Sequence, residues 1–255
     1  MSAEAYDVLS SLYDYLQKDI SAEKWACFLT SLIRRHISGG EEADRALSVC
    51  DLGCGTARIP IAMSRRNFIV QGMDRSSLML NKALENAERE RAGIFLSCQD
   101  IRRFTLPEPV DVFLCLLDTV NHILSQRDVL RLFTRVSKFL RPGGLFIFDV
   151  LTPYYLEHGL GNQIFYTEEE DFSLFWRNSF SSKARVSTSD ITLFRREKGP
   201  LYLKEDIQIS EREHVISDIQ AMLSRAGMRL LRMYGNVKLR LPRESEDRVF
   251  VVAQR

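Results

Sequence analysis

Five aspartates, Asp51, Asp74, Asp100, Asp118 and Asp149, each stand at or near the end of a short apolar run. The first opens a glycine-bearing turn, Asp-Leu-Gly-Cys-Gly-Thr-Ala-Arg, at residues 51–58. Such a turn, set between a strand and a helix, offers free backbone N–H groups to an anionic group. Acidic side chains beside it accept hydrogen bonds from ammonium, hydroxyl or amine groups. The dinucleotide fingerprint G-x-G-x-x-G is incomplete here, because Arg58 follows Gly53 and Gly55 where the third glycine belongs. Arginine would block the close helix–strand contact, and Asp51 would repel a pyrophosphate. A ligand carrying one cationic and one small anionic group suits the residues better. Asp51 attracts an ammonium, and Gly53 and Gly55 let backbone approach closely. Asp74 accepts from two ribose hydroxyls. Asp100 accepts from an exocyclic amine with the Ile101 backbone beside it, and Met79 or Ile101 covers a flat ring. An amino acid joined to an adenosine meets each of these terms.

These residues need a scaffold that brings strand ends together. The runs ALSVCDLG, NFIVQGMD, GIFLSCQD, VDVFLCLLD and LFIFDV alternate with helical patterns over residues 46–150. Alternation of this kind implies a parallel sheet with helices on both faces, with ligands at the carboxyl ends of the strands. MRLLRMYGNV and DRVFVVAQR read as a final hairpin that completes the sheet. The expected class is α/β, a doubly wound, Rossmann-like, mixed seven-stranded sheet. Between residues 151 and 212 the pattern turns to period-two stretches such as FSLFWRNSF and LYLKEDIQIS, which read as three or so antiparallel strands inserted after the fifth strand. The expected divisions are a helical lid over 1–40, a ligand-binding core over 41–150, a β insertion covering a second ligand over 151–212, and a C-terminal helix and hairpin over 213–255. SGGEEAD, residues 38–44, is expected to break the first helical region.

The bulk composition narrows the partners. The 255 residues carry a net charge of +1, so no global field draws the chain to nucleic acid or an anionic membrane. Arg225, Arg229, Arg232, Lys238, Arg240 and Arg243 form the one basic concentration, which a solvated face explains equally well. Five cysteines without a C-x-x-C pair read as buried, reduced thiols and point to a cytoplasmic setting. No apolar run spans a bilayer, no signal peptide is evident, and no metal site is expected.

Asp51 to Thr56 resembles the first motif of class I S-adenosylmethionine-dependent methyltransferases. GMD at 72–74, CQDI at 98–101, LRPGGLFIFD at 140–149 and the final hairpin follow that family's pattern in order, from about Leu47 to Arg255. The resemblance is closest to small-molecule N-methyltransferases of the glycine/sarcosine and amino-sugar type, with Tyr13-Asp14 standing for their N-terminal helix. Ala57 departs from the family's usual glycine. The resemblance implies S-adenosyl-L-methionine as cofactor. It places Asp51, Gly53 and Gly55 at the methionine part, Asp74 at the ribose, and Asp100 and Ile101 at the adenine, with Cys54, Arg75 and Met79 also expected to bind the cofactor. Leu116 and Leu117 then lie beside the sulfonium.

Methyl transfer is an in-line displacement, so the protein must hold the acceptor collinear and dry. Asp118, Asn121 and His122 follow the fourth strand, where the acceptor should approach. His122 could serve as a base, but a lone histidine without a visible partner favours a local structural bond. Tyr6 and Tyr13 sit at helical spacing, either packing or offering a hydroxyl near the methyl group. Arg58 suits an acceptor carboxylate or phosphate, or a neighbouring acid. Tyr154, Tyr155, Phe175, Trp176 and Arg177 are candidates to line a partly apolar pocket, although strand aromatics are more often core. The expectation is a monomer or homodimer methylating a small molecule, possibly at nitrogen. The alternatives are an RNA or protein acceptor, a nicotinamide-dependent oxidoreductase, or a non-catalytic cofactor-binding module.

Overall fold

The computed structural model describes residues 3–37 and 45–255. Helices α1 (Ala3–Leu9), α2 (Tyr13–Leu16) and α3 (Ala22–His36) precede β1 (Leu47–Leu52), α4 (Arg58–Ser64), β2 (Phe68–Asp74), α5 (Ser77–Arg89) and β3 (Ile94–Cys98). Next come β4 (Val110–Cys115), α6 (Gln126–Phe139) and β5 (Leu140–Leu151). Strands β6 (Ile164–Glu168), β7 (Phe172–Ser181), β8 (Val186–Arg196) and β9 (Tyr202–Arg212) form the insertion, and α7 (Ile216–Arg225), β10 (Arg229–Gly235) and β11 (Arg248–Gln254) close the chain. Segment 38–44, expected to break a helix, lies outside the described residues.

The central sheet runs β10-β11-β5-β4-β1-β2-β3. All six residues of β4 are buried, as a strand covered on both faces requires. Alternate residues feed two apolar layers. Phe113, Phe146 and Phe148 pack against α6 and α7. Val112, Leu114 and Ile147 pack against α3 and α4. Only β11 runs antiparallel to its neighbours β5 and β10. Strand order reverses between β1 and β4, so a crevice opens beyond their carboxyl ends. Asp51, Thr119 and His122 all lie at that edge.

Local signals act as the sequence suggests. Ser76 caps α5 by accepting from the Met79 N–H at 3.0 Å. Pro60 sits in the first turn of α4, and Gly227 ends α7 at φ +76°. Ala57 precedes α4 in the left-handed region at φ 62°, the backbone reason for a glycine at this place. Two expectations change. The insertion has four strands rather than three, in the order β6-β7-β8-β9. Cys27 and Cys98 are exposed, while Cys50, Cys54 and Cys115 are buried thiols. No helix among the described residues is long and apolar enough to cross a membrane.

One face of the insertion is apolar and docks on α1. Ala5 and Leu9 pack against Phe172, Leu174, Ile191, Leu193 and Ile209. The N-terminal helices therefore sit between the insertion and the crevice.

Candidate active site

The crevice holds two adjoining pockets that share Tyr13, Gly53, Gly55, Leu117 and Thr119 in their walls. Asp74, Met79, Asp100 and Ile101 line the first, with Tyr6 and His122. Asp51, Cys54, Arg58 and Leu116 line the second.

The glycine turn shapes the boundary. Gly53 has φ +78°, and a Cβ there would lie 2.8 Å from Thr119 Cγ2. Gly55 has φ +54°, with the Tyr13 ring 3.4 Å from where a Cβ would stand. The Gly55 N–H donates to Asp74 Oδ2 at 3.0 Å, and the Ser76 N–H donates to Asp74 Oδ1 at 2.9 Å. Each oxygen of Asp74 keeps further acceptor capacity. Burial raises the Asp74 pKa against those two bonds. Asp51 is 4% exposed, and its Oδ1 has no hydrogen-bond partner. Burial, then the charges of Asp74 and Asp149, push its pKa up to about 7. Asp100 is gripped by Arg102, with Nε donating at 2.9 Å and Nη2 at 2.6 Å, and that pairing pulls its pKa down to about 2. Arg75 also lines the first pocket, and its Nη2 is buried without a partner.

At the far end the tip after β4 is tightly turned, with Leu117 at φ 54° and Asp118 at φ 58°. His122 Nε2 lies 2.8 Å from the Tyr6 hydroxyl. It also lies 3.7 Å from Asp118 Oδ2 and 3.7 Å from Glu211 Oε1. The Tyr6 ring stands edge-on to His122 and to Tyr13. Burial lowers the His122 pKa against the pull of Asp118. Burial, followed by the charges of nearby acids, pushes the Tyr13 hydroxyl up. Arg248, buried on β11, ion-pairs with Asp149 and donates to Asp118 Oδ1 at 3.2 Å.

The N-terminal helices are stitched over this crevice. Asp14 accepts from the Thr56 hydroxyl at 2.6 Å and from Asn86 Nδ2 at 3.0 Å. Asp7 accepts from the Ser76 hydroxyl.

Comparison with known proteins agrees with this architecture. Residues 49–144 match the family model described as a methyltransferase domain. A protein of Geobacillus sp. (strain WCH70) named as a methyltransferase is 26% identical over 250 residues, spanning 98% of this chain and 99% of the relative. Residues 49–144 form a methyltransferase domain, and the chain is similar along nearly its whole length to S-adenosylmethionine-dependent methyltransferases. Among solved structures, an S-adenosylmethionine-dependent methyltransferase from Clostridium acetobutylicum ATCC 824 superposes with a TM-score of 0.83 at 24% identity, covering 98% of both chains. The sugar N-methyltransferase KedS8 from Streptoalloteichus sp ATCC 53650 gives 0.74 at 16% identity, covering 96% of this chain and 92% of its own. At those identities the two structures establish the fold.

The methyltransferase's own residues fit its cofactor, S-adenosylmethionine. The orphaned Asp51 Oδ1 wants a cation where the amino-acid end would lie. The missing Cβ atoms of Gly53 and Gly55 leave room between the two pockets.

Several residues singled out by type and spacing have other work. Arg58, in the wall of the second pocket, donates to the Gln17 carbonyl at 2.6 Å and the Ile20 carbonyl at 2.9 Å, tying the link from α2 to α3. Asn121 is fully buried and spent on structure, donating to the Arg212 carbonyl at 2.9 Å and accepting from the Leu151 N–H at 3.0 Å. Arg177 is exposed and pairs with Asp190, and Tyr154 is exposed and stacks on His158. Phe175 faces outward against Tyr166. Trp176 packs into the apolar layer under α1. The Cys54 side chain wedges under the turn, with its Sγ 2.8 Å from where a Gly72 Cβ would lie. His122, which has no visible partner in the sequence, bonds to Tyr6 in the fold and lies 3.7 Å from both Asp118 and Glu211. Glu211 and Arg248 carry no sequence signal, because their neighbours are set by the insertion and the hairpin rather than by spacing.

Proposed function

We propose that this methyltransferase acts on an amine of a small molecule, with the acceptor entering beside Tyr6, Tyr13 and His122. The observation that carries the reading is the acid-rich far end of the crevice, where Asp118 and Glu211 flank a buried histidine held by a tyrosine hydroxyl. A buried acidic surround favours a cationic amine over a carboxylate or phosphate. The fold shared with the sugar N-methyltransferase supports the same acceptor class. Asp51 would hold the cofactor's ammonium, Asp74 its ribose, and Asp100 with Ile101 its adenine.

The cofactor supplies a methyl group already activated by a sulfonium. The chain's residues supply position and a proton sink. Tyr13, packed beside Gly55, bounds the channel between cofactor and acceptor. An ammonium must lose a proton before its lone pair can attack. His122 is kept neutral by burial, so Nε2 is free to take that proton once the Tyr6 hydroxyl yields it. The covering helices and insertion keep water from the reacting atoms.

The test is release of S-adenosylhomocysteine on incubation with a panel of primary and secondary amines and their isosteric alcohols. Turnover confined to the amines is the expected result. Turnover of alcohols alone, or of RNA, would refute the reading.

A further inference from the structure

Glu211 reaches the site from the insertion, and nothing in the core sequence motifs calls for it. It stands near the end of β9, opposite Ser187 of β8. The next residue anchors it: the Arg212 N–H donates to the Asn121 carbonyl at 2.7 Å, and Asn121 Nδ2 returns a bond to the Arg212 carbonyl. The Glu211 side chain is 9% exposed, and no N–H among the described residues donates to it. Its carboxyl shares a cluster with Asp118 and His122, with one ligand atom of each within 4.8 Å of the others. Two ionised carboxylates this close in a buried site repel, so one of them carries a proton. Arg248 donates to Asp118 Oδ1 at 3.2 Å, so the guanidinium sits on Asp118 and not on Glu211. The proton therefore belongs on Glu211.

We propose that Glu211 is a positioning residue of the acceptor site: a neutral acid beside Asp118 that leaves a single uncompensated negative charge next to His122. The groups facing it fix that count. Arg248 of β11 offers one positive charge to the two carboxyls of Asp118 and Asp149, and burial favours the neutral forms of Tyr6 of α1, Tyr155 and His122. Burial, then the Asp118 charge, raises the Glu211 pKa in agreement. One net negative charge matches one ammonium, and it stabilises the imidazolium that forms when His122 takes the acceptor's proton. In that step the acceptor N–H bond breaks and an N–H bond forms at His122 Nε2. The freed lone pair then makes the N–C bond as the C–S bond breaks, with its electron pair staying on sulfur. The proposal rests on the amine reading for its meaning, but its chemistry is present in the free protein.

Two measurements on the free protein test it. The chain has four histidines, so the His122 ring signal can be assigned by NMR with a His122→Asn control and titrated. In Glu211→Gln, the glutamine mimics the protonated acid, and the His122 midpoint should stay where it is in wild type. In Asp118→Asn, loss of the charge should lower that midpoint by about one pH unit or more. Infrared spectra of wild type labelled with 13C-glutamate should show a protonated-carboxyl stretch at pH 7 that Glu211→Gln removes. The infrared arm needs only the wild-type fold to reveal the band. A Glu211→Gln shift as large as that of Asp118→Asn, or no protonated band in wild type, would overturn the proposal. Failure of either arm leaves the amine assay untouched, and failure of the amine assay leaves both arms standing.

Discussion

Replacing Asp51 by asparagine should make the ligand-free protein more stable and the cofactor complex weaker. Asp51 is buried, and its pKa moves from the ordinary 3.8 to about 7. At about 1.36 kcal/mol per pH unit, the ionised form costs the folded state up to about 4 kcal/mol. Asparagine keeps the shape of the protonated acid and carries no such cost. Below about pH 4 the two proteins should be equally stable, since Asp51 is then neutral in both the folded and unfolded chains. Between about pH 4 and 7 the folded state holds a proton that the unfolded chain has released, so wild-type stability falls as pH rises. The gap between variant and wild type should open through that window and level off above it. For a chain of this size it amounts to a rise in melting temperature on the order of 10 °C at pH 8. Differential scanning calorimetry at pH 4 and pH 8 reads the gap directly. Calorimetric titration with S-adenosylmethionine reads the other half: loss of a buried partner for the ammonium should weaken binding by at least about 30-fold. An unchanged melting temperature at pH 8, or undiminished cofactor affinity, would refute the reasoning that Asp51 waits for a cation.

Other substitutions probe separate links in the account. Ala57→Gly relieves a left-handed alanine and should stabilise the protein by about 0.5–1 kcal/mol by urea unfolding; a loss of stability would contradict the strain. Gly53→Ala sets a Cβ 2.8 Å from Thr119 Cγ2, so cofactor affinity should drop sharply on calorimetric titration, and wild-type affinity would show that the turn has slack. Tyr6→Phe keeps the ring contacts but removes the hydroxyl bonded to His122. Methyl transfer should fall by about 10-fold or more while cofactor affinity holds, and equal losses in both would assign Tyr6 to packing alone. Arg58→Met cuts the bonds to the Gln17 and Ile20 carbonyls, so limited proteolysis between α2 and α3 should quicken; an unchanged cleavage rate would deny Arg58 that role.

The glycine-turn half of the crevice, where we propose that the cofactor lies, is legible in the sequence because it is local. Asp51, Gly53 and Gly55 share one turn, and Asp74 and Asp100 close neighbouring strands, so strand order alone assembles them. The far half, where we propose that the acceptor enters, is built by long-range contacts. Tyr6 reaches His122 across 116 residues, and Glu211 arrives on a strand of the insertion. Period-two alternation shows that a strand has two faces without saying which face meets the core. Phe175 and Arg177, expected to line a pocket, point outward for that reason. Arg58 misleads for a related reason. Its type suits an anionic ligand, but two backbone carbonyls of the chain before α3 satisfy it first.

The central claim is that the crevice joins S-adenosylmethionine to a small cationic acceptor. The most direct measurement is transfer of a radiolabelled methyl group from S-adenosylmethionine into a metabolite extract, separated by size and by charge at pH 7. The account expects label in low-mass species retained by a cation exchanger, with an equal amount of S-adenosylhomocysteine. Label in RNA, protein or neutral metabolites, or no transfer at all, would contradict it.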